Sequence, residues 1–67
     1  MIEIRFDQTR YHEQHEMHLW CEQNFGEGRW GSIPRENDRW MIDSAFGNTT
    51  FFFRDEEDAN WFTLKWL

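Results

Sequence analysis

Phe51-Phe52-Phe53-Arg54-Asp55-Glu56-Glu57-Asp58-Ala59-Asn60-Trp61-Phe62-Thr63-Leu64-Lys65-Trp66-Leu67 is the stretch on which the fold turns. Successive side chains of a strand alternate between faces, so Phe51 and Phe53 share one face and Phe52 takes the other. A strand here therefore puts an aromatic ring on a second face, which must be open or covered by another part of the chain. Asp55 then stands at the N-cap position of a short helix, with Glu56, Glu57 and Asp58 at the positive end of its dipole. Beyond Trp61 two readings compete. Phe62, Leu64 and Trp66 alternate with Thr63, Lys65 and Leu67, the period-two signature of a last strand, and a helix running to the C-terminus is the alternative. The strand is the preferred expectation.

Working back, Trp40 to Phe46 alternates Trp40, Ile42, Ser44 and Phe46 against Met41, Asp43 and Ala45, and Gly47-Asn48 supplies the positive-φ residues of a tight hairpin turn into a strand from Thr49 to Arg54. Ile2, Ile4 and Phe6 alternate with Glu3 and Arg5, a half-buried strand. From Arg10 to Phe25 no Gly or Pro interrupts a helix that Thr9 can cap and Gly26 can stop. Tyr11, Gln14, His18, Cys21 and Phe25, with Met17 beside them, form its sheet-facing stripe. Gly26 to Arg39 reads as a long loop anchored by Trp30 and Ile33, and its length makes it a place to look for activity. The expected fold is α+β, a β-α-β-β-α-β ferredoxin-like two-layer sandwich, with a three-stranded β-α-β-β-α arrangement as the alternative.

At 67 residues the chain has room for one small domain, and a net charge of -6 with 30% charged residues describes an acidic protein. No stretch approaches the roughly 18 to 20 apolar residues of a membrane span. Met1-Ile2-Glu3-Ile4-Arg5 lacks the basic-then-apolar order of a signal peptide, so a cytoplasmic location is expected, with no membrane partner. The single cysteine, Cys21, has no partner for an internal disulfide. Phe 7, Trp 5 and Tyr 1 dominate the apolar residues, and large rings let a short chain build a core from few side chains.

His12, His15, His18 and Cys21 recur every third position, and each step of three turns about 300° around a helix, so they do not converge on one ion. No metal or cofactor is expected. There is no Gly-rich phosphate loop before a helix, and neither Ser32 nor Ser44 sits in a nucleophile elbow, so the chain reads as non-enzymatic. An open sheet face carrying Phe52, with Arg5, Arg54 and Lys65, would suit single-stranded nucleic acid, but seven basic residues against thirteen acidic ones give little electrostatic drive. Self-association through that face is a further alternative, as a homodimer or larger homo-oligomeric structural module. Leu19 and Trp20 lie off the helix stripe, either roofed by the long loop through Trp30 or offered to a partner. The expected partner surface is Leu19, Trp20 and Trp30, with Glu16 and the Asp55 to Asp58 edge (Asp55, Glu56 and Asp58) as a polar rim.

Phe51 to Trp66, with its phenylalanines, Asp55-Glu56-Glu57-Asp58-Ala59 turn and Phe62-Thr63-Leu64-Lys65-Trp66 ending, resembles the C-terminal ending of small, mostly uncharacterised proteins of tailed bacteriophages. Trp20-Cys21-Glu22-Gln23-Asn24-Phe25-Gly26 is similar to the helix ending of the same group. The Phe53-Arg54-Asp55-Glu56-Glu57-Asp58-Ala59 step also looks like the strand-to-helix step of RNA-recognition folds, but the aromatic and basic signature of their central strand is missing. The phage resemblance implies a host-cytoplasmic protein that binds and alters a host protein, and it carries over no functional residue.

Overall fold

The computed structural model describes residues 1–6, 13–45 and 47–67. The chain runs through strand Ile2–Phe6 (β1), helix Gln14–Phe25 (α1), a two-residue strand Arg29–Trp30 (β2), strands Trp40–Ala45 (β3) and Asn48–Phe53 (β4), and helix Glu56–Trp66 (α2). Among the described residues the strands form one mixed sheet in the order β1-β4-β3-β2. β4 is antiparallel to both β1 and β3, and β2 runs parallel to β3. This is a small α+β architecture of one sheet and two helices.

Register shows how the sheet acquires its sides. Ile2 and Trp40 flank Phe53, and Ile4 and Ile42 flank Phe51, so one face is apolar across three strands. Both helices pack on that face: Met17, Cys21 and Phe25 from α1 and Ala59 and Phe62 from α2 complete a core with Phe6, Trp40, Ile42, Phe51 and Phe53. The Phe62 ring lies 4.7 Å from Phe51 and 5.1 Å from Phe53.

The expected last strand over Phe62 to Leu67 is instead the second half of α2 up to Trp66, as in the helical-tail alternative, and the stretch from Gly26 to Arg39 read as a loop contains the strand β2; the element order is therefore β-α-β-β-β-α, in place of the ferredoxin-like β-α-β-β-α-β. Helical spacing brings Ala59, Phe62 and the partly buried Trp66 onto the core while Leu64 turns to solvent; as a strand, Phe62, Leu64 and Trp66 would share one face. The backbone N–H of Leu67 closes the helix on the carbonyl of Thr63. The hairpin also shifts by one residue. Ala45 pairs with Asn48, so Asn48 belongs to β4 and not to the turn, where Gly47 sits at φ 80°. Phe46 itself lies outside the described residues, as do Thr9, Arg10, Tyr11 and His12 of the expected helix start and stripe. Gly26, at φ 87°, follows the last residue of α1, where a stop was expected, and its N–H donates to Glu22.

Ile33 does not anchor the long loop; it is 74% exposed. Two other side chains do that work. Trp40 Nε1 donates to the carbonyl of Gly26 at 2.8 Å, and Gly28 passes so close over the Trp40 indole that a Cβ would collide with it. Arg29 points to the sheet face opposite the helices, where its Nη2 donates to the Ile33 carbonyl at 2.7 Å and to Asp38 at 2.6 Å, 3.2 Å from Met41 Sδ. Asp38 in turn accepts from the backbone N–H of Arg35 and closes a turn by donating its own N–H to the Arg35 carbonyl. The loop is thereby drawn over Met41, which is fully buried.

Candidate functional site

Successive residues of a helix lie about 100° apart, so the residues around Leu19 point in different directions. His18 leans toward β2 and β3, its ring 5.4 Å from Trp30 and 5.6 Å from Trp40, with Nε2 3.2 Å from a Glu22 carboxylate oxygen. Trp20 leans the opposite way, into the seam between α1 and α2, with its ring about the same distance from Phe25, at 5.5 Å, as from Trp61 and Phe62, each at 6.0 Å. Leu19 lies between these flanks on the outward side of α1, 44% exposed.

The structure therefore separates the residues that the sequence groups. Trp20 is roofed by α2, whereas Trp30 packs on His18 at the other flank of α1 and remains half exposed. Leu19, Trp20 and Trp30 do not converge on one patch. Glu16 is exposed on α1. Asp55 occupies the N-cap position of α2 with an extended backbone, but its side chain makes no capping hydrogen bond and lies 3.5 Å from Arg54 Nη2. Asp55 and Glu56 are exposed and available to a rim. Asp58 is not: it is buried and holds Arg39 by two bonds, Nε to Oδ2 at 2.8 Å and Nη2 to Oδ1 at 3.3 Å. That hydrogen-bonded ion pair raises the Arg39 pKa above its ordinary value, and the Arg39 guanidinium also lies over the Phe25 ring.

The alternative nucleic-acid set is likewise dispersed. Phe52 lies on the sheet face opposite the helices, beside Met41 in register, and is 8% exposed, so it offers no free ring for a base to stack on. Arg5 is on that same face, but Lys65 belongs to α2 in the helical layer and sits over the Trp66 ring.

What sequence reasoning missed is an apolar strip on the outer side of the helical layer. Trp61, 53% exposed, caps the seam by meeting both Trp20 and Phe25, and Leu64, three residues on and 85% exposed, extends the same face of α2. Reading residues 62–67 as a strand hid this spacing. Glu57 lies one helical turn before Trp61 and is exposed. Two further titratable groups, Cys21 and Asp38, serve the fold. Burial, reinforced by the negative charge of Asp58, pushes the Cys21 thiol up to about 12. The Arg29 hydrogen bonds, with the Arg35 N–H, hold Asp38 below its ordinary value. Among the described residues no three His, Cys, Asp or Glu side chains gather into a metal-binding group, and no helix is long and apolar enough to cross a membrane. Comparison with protein-family models, with curated proteins and with solved structures finds no match for this chain.

Proposed function

We propose that this chain is a non-enzymatic interaction module of the phage type, working in the host cytoplasm by docking its helical layer onto a host protein. The observation that carries the reading is the Trp61–Leu64 strip, an exposed indole and an exposed leucine side by side on α2 and continuous with the half-buried Trp20. Large aromatic side chains at the centre of a patch, rimmed by polar groups, supply most of the binding energy at protein interfaces. Exposed acids outnumber bases around the strip: Glu16 on α1 and Glu57, with Asp55 and Glu56 at the start of α2, are exposed, beside the exposed Lys65. A net charge of -6 favours a partner whose own patch is apolar at the centre and basic around it.

Affinity capture from a bacterial host lysate, with and without nuclease, tests this when wild type is compared with Leu64→Glu and Trp61→Glu. Leu64 is exposed, so its variant should stay folded and lose the captured protein, and nuclease should leave wild-type recovery intact. Recovery of the same protein by the folded Leu64→Glu and Trp61→Glu variants would refute the proposed face. Nucleic acid as the sole captured species would refute the proposed partner class.

A further inference from the structure

β1 is an edge strand: among the described residues its one strand neighbour is β4. An edge presents a row of backbone donors and acceptors to any strand that can pair with it. The hairpin shows which groups these are. The N–H of Arg54 donates to the Arg39 carbonyl at 2.9 Å, and extending the β3–β4 register places these two residues opposite each other, as a hydrogen-bonded pair. Bonded and non-bonded pairs alternate along an antiparallel ladder, so Phe52 and Thr50 direct their backbone groups to β3, while Phe53, Phe51 and Thr49 direct theirs to β1. Their partners Ile2, Ile4 and Phe6 bond inward. Glu3 and Arg5 are therefore left with backbone N–H and C=O groups aimed out of the sheet.

We propose that this edge pairs with the β1 edge of a second copy of the chain, antiparallel and about a two-fold axis at Ile4, joining two sheets into one. The register follows from charge. With Ile4 opposite Ile4 of the second copy, Glu3 of each chain faces Arg5 of the other, and the four outward backbone groups of each chain are all bonded in two reciprocal hydrogen-bonded pairs. Their side chains, both exposed, then sit directly cross-strand with opposite charge. A shift of the axis to residue 3 sets Glu3 against Glu3, and a shift to residue 5 sets Arg5 against Arg5. A register offset by one residue aligns outward groups with inward ones and turns side chains to the wrong face. Of these neighbouring registers, the one centred on Ile4 matches both hydrogen bonds and charge, and it is self-complementary as a two-fold interface requires.

The helical layer is compatible with this arrangement. α2 rests on both β1 and β4, so pairing at β1 sets the two α2 helices side by side about 10 Å apart, close to the distance of packed helices. The flank of α2 turned away from α1 carries Thr63 and the exposed Leu67, which this brings toward the second copy. The pairing stands apart from the Trp61–Leu64 face and does not depend on it.

Sedimentation velocity across a concentration series tests the proposal. Wild type should show a reversible monomer–dimer equilibrium. Glu3→Arg and Arg5→Glu each put like charges across both pairs and should weaken the dimer by about tenfold or more. An equimolar mixture of the two variants restores opposite charges at both pairs and should form a heterodimer close to wild-type strength. A wild-type chain that stays monomeric to millimolar concentration, or a dimer that both folded variants keep, would overturn it. If either variant fails to fold, amide exchange of wild type decides: the Glu3 and Arg5 amides should gain protection as concentration rises, and free exchange at concentrations where the dimer is present would equally overturn the pairing.

Discussion

Cys21 illustrates how a reactive side chain becomes inert. It is fully buried between the helices and the sheet, and its thiol is pushed up to about 12, first by burial and then by the charge of Asp58. Thiolate is the reacting form, so in the folded protein Cys21 should react with iodoacetamide at pH 8 only as fast as the chain opens, whereas denaturant should release the ordinary rate. A rate equal to that of a free thiol in native buffer would contradict the placement. Gly28 is constrained by space, because a Cβ there meets the Trp40 indole between its six-membered ring atoms. Gly28→Ala should destabilise by about 1–3 kcal/mol in chemical denaturation, the range for forced overpacking. Asp58 and Asp55 stand three residues apart with opposite fates: one is buried and doubly bonded to Arg39, the other is exposed beside Arg54. Arg39→Met should therefore lower the melting temperature more than Arg54→Met, since it leaves a buried carboxylate without its partner.

At the level of elements, the long loop owes its course to Arg29 and Asp38, nine residues apart. Asp38 is held below its ordinary value of 3.8 by Arg29 first and the Arg35 N–H second. A carboxylate with a depressed folded pKa contributes stability that is fully present above the unfolded value and is lost as pH falls through the folded one. The loop should thus keep its closure down to about pH 4 and loosen below it. The backbone bond from Gly31 to Ile42 reports this directly. Asp38→Asn should reduce protection of the Gly31 amide at neutral pH, and equal protection in both proteins would show that β2 holds without the ion pair. For α2, the acids of the first turn, Glu56 and Glu57, face the positive end of the dipole and Lys65 stands in the last turn. This polarity supports one continuous helix over a helix broken at Trp61.

Across the whole molecule, aromatic rings link the layers. Trp20, Phe25, Trp61 and Phe62 join the two helices, and Phe25 and Phe62 reach Phe53 on the sheet. Edge-to-face and tilted contacts of this kind add to the area each ring buries, which is how so short a chain obtains a cohesive core. Trp20→Glu sets a charge into that junction and should destabilise by about 2–4 kcal/mol in urea, against the roughly 3 to 10 kcal/mol expected for a chain of this length. A stable Trp20→Glu protein would show that the seam is a binding surface and not internal packing.

The sequence by itself determined the strand Ile2–Phe6, the helix ending at Gly26 and the hairpin around Gly47, because alternation, helical spacing and glycine conformation act over a few neighbouring residues. It also placed Phe52 opposite Phe51 and Phe53. Tertiary structure decided the rest. Whether Phe62 to Trp66 became strand or helix depended on what the sheet needed covered, and the core formed by Phe51, Phe53 and α1 accepts residues at helical spacing. Likewise, no local pattern pairs Arg39 with Asp58 across nineteen positions or sends Trp20 to α2 and Trp30 to His18. Those choices rest on contacts between segments distant in the chain, where burial and charge pairing outweigh the preferences of any one stretch.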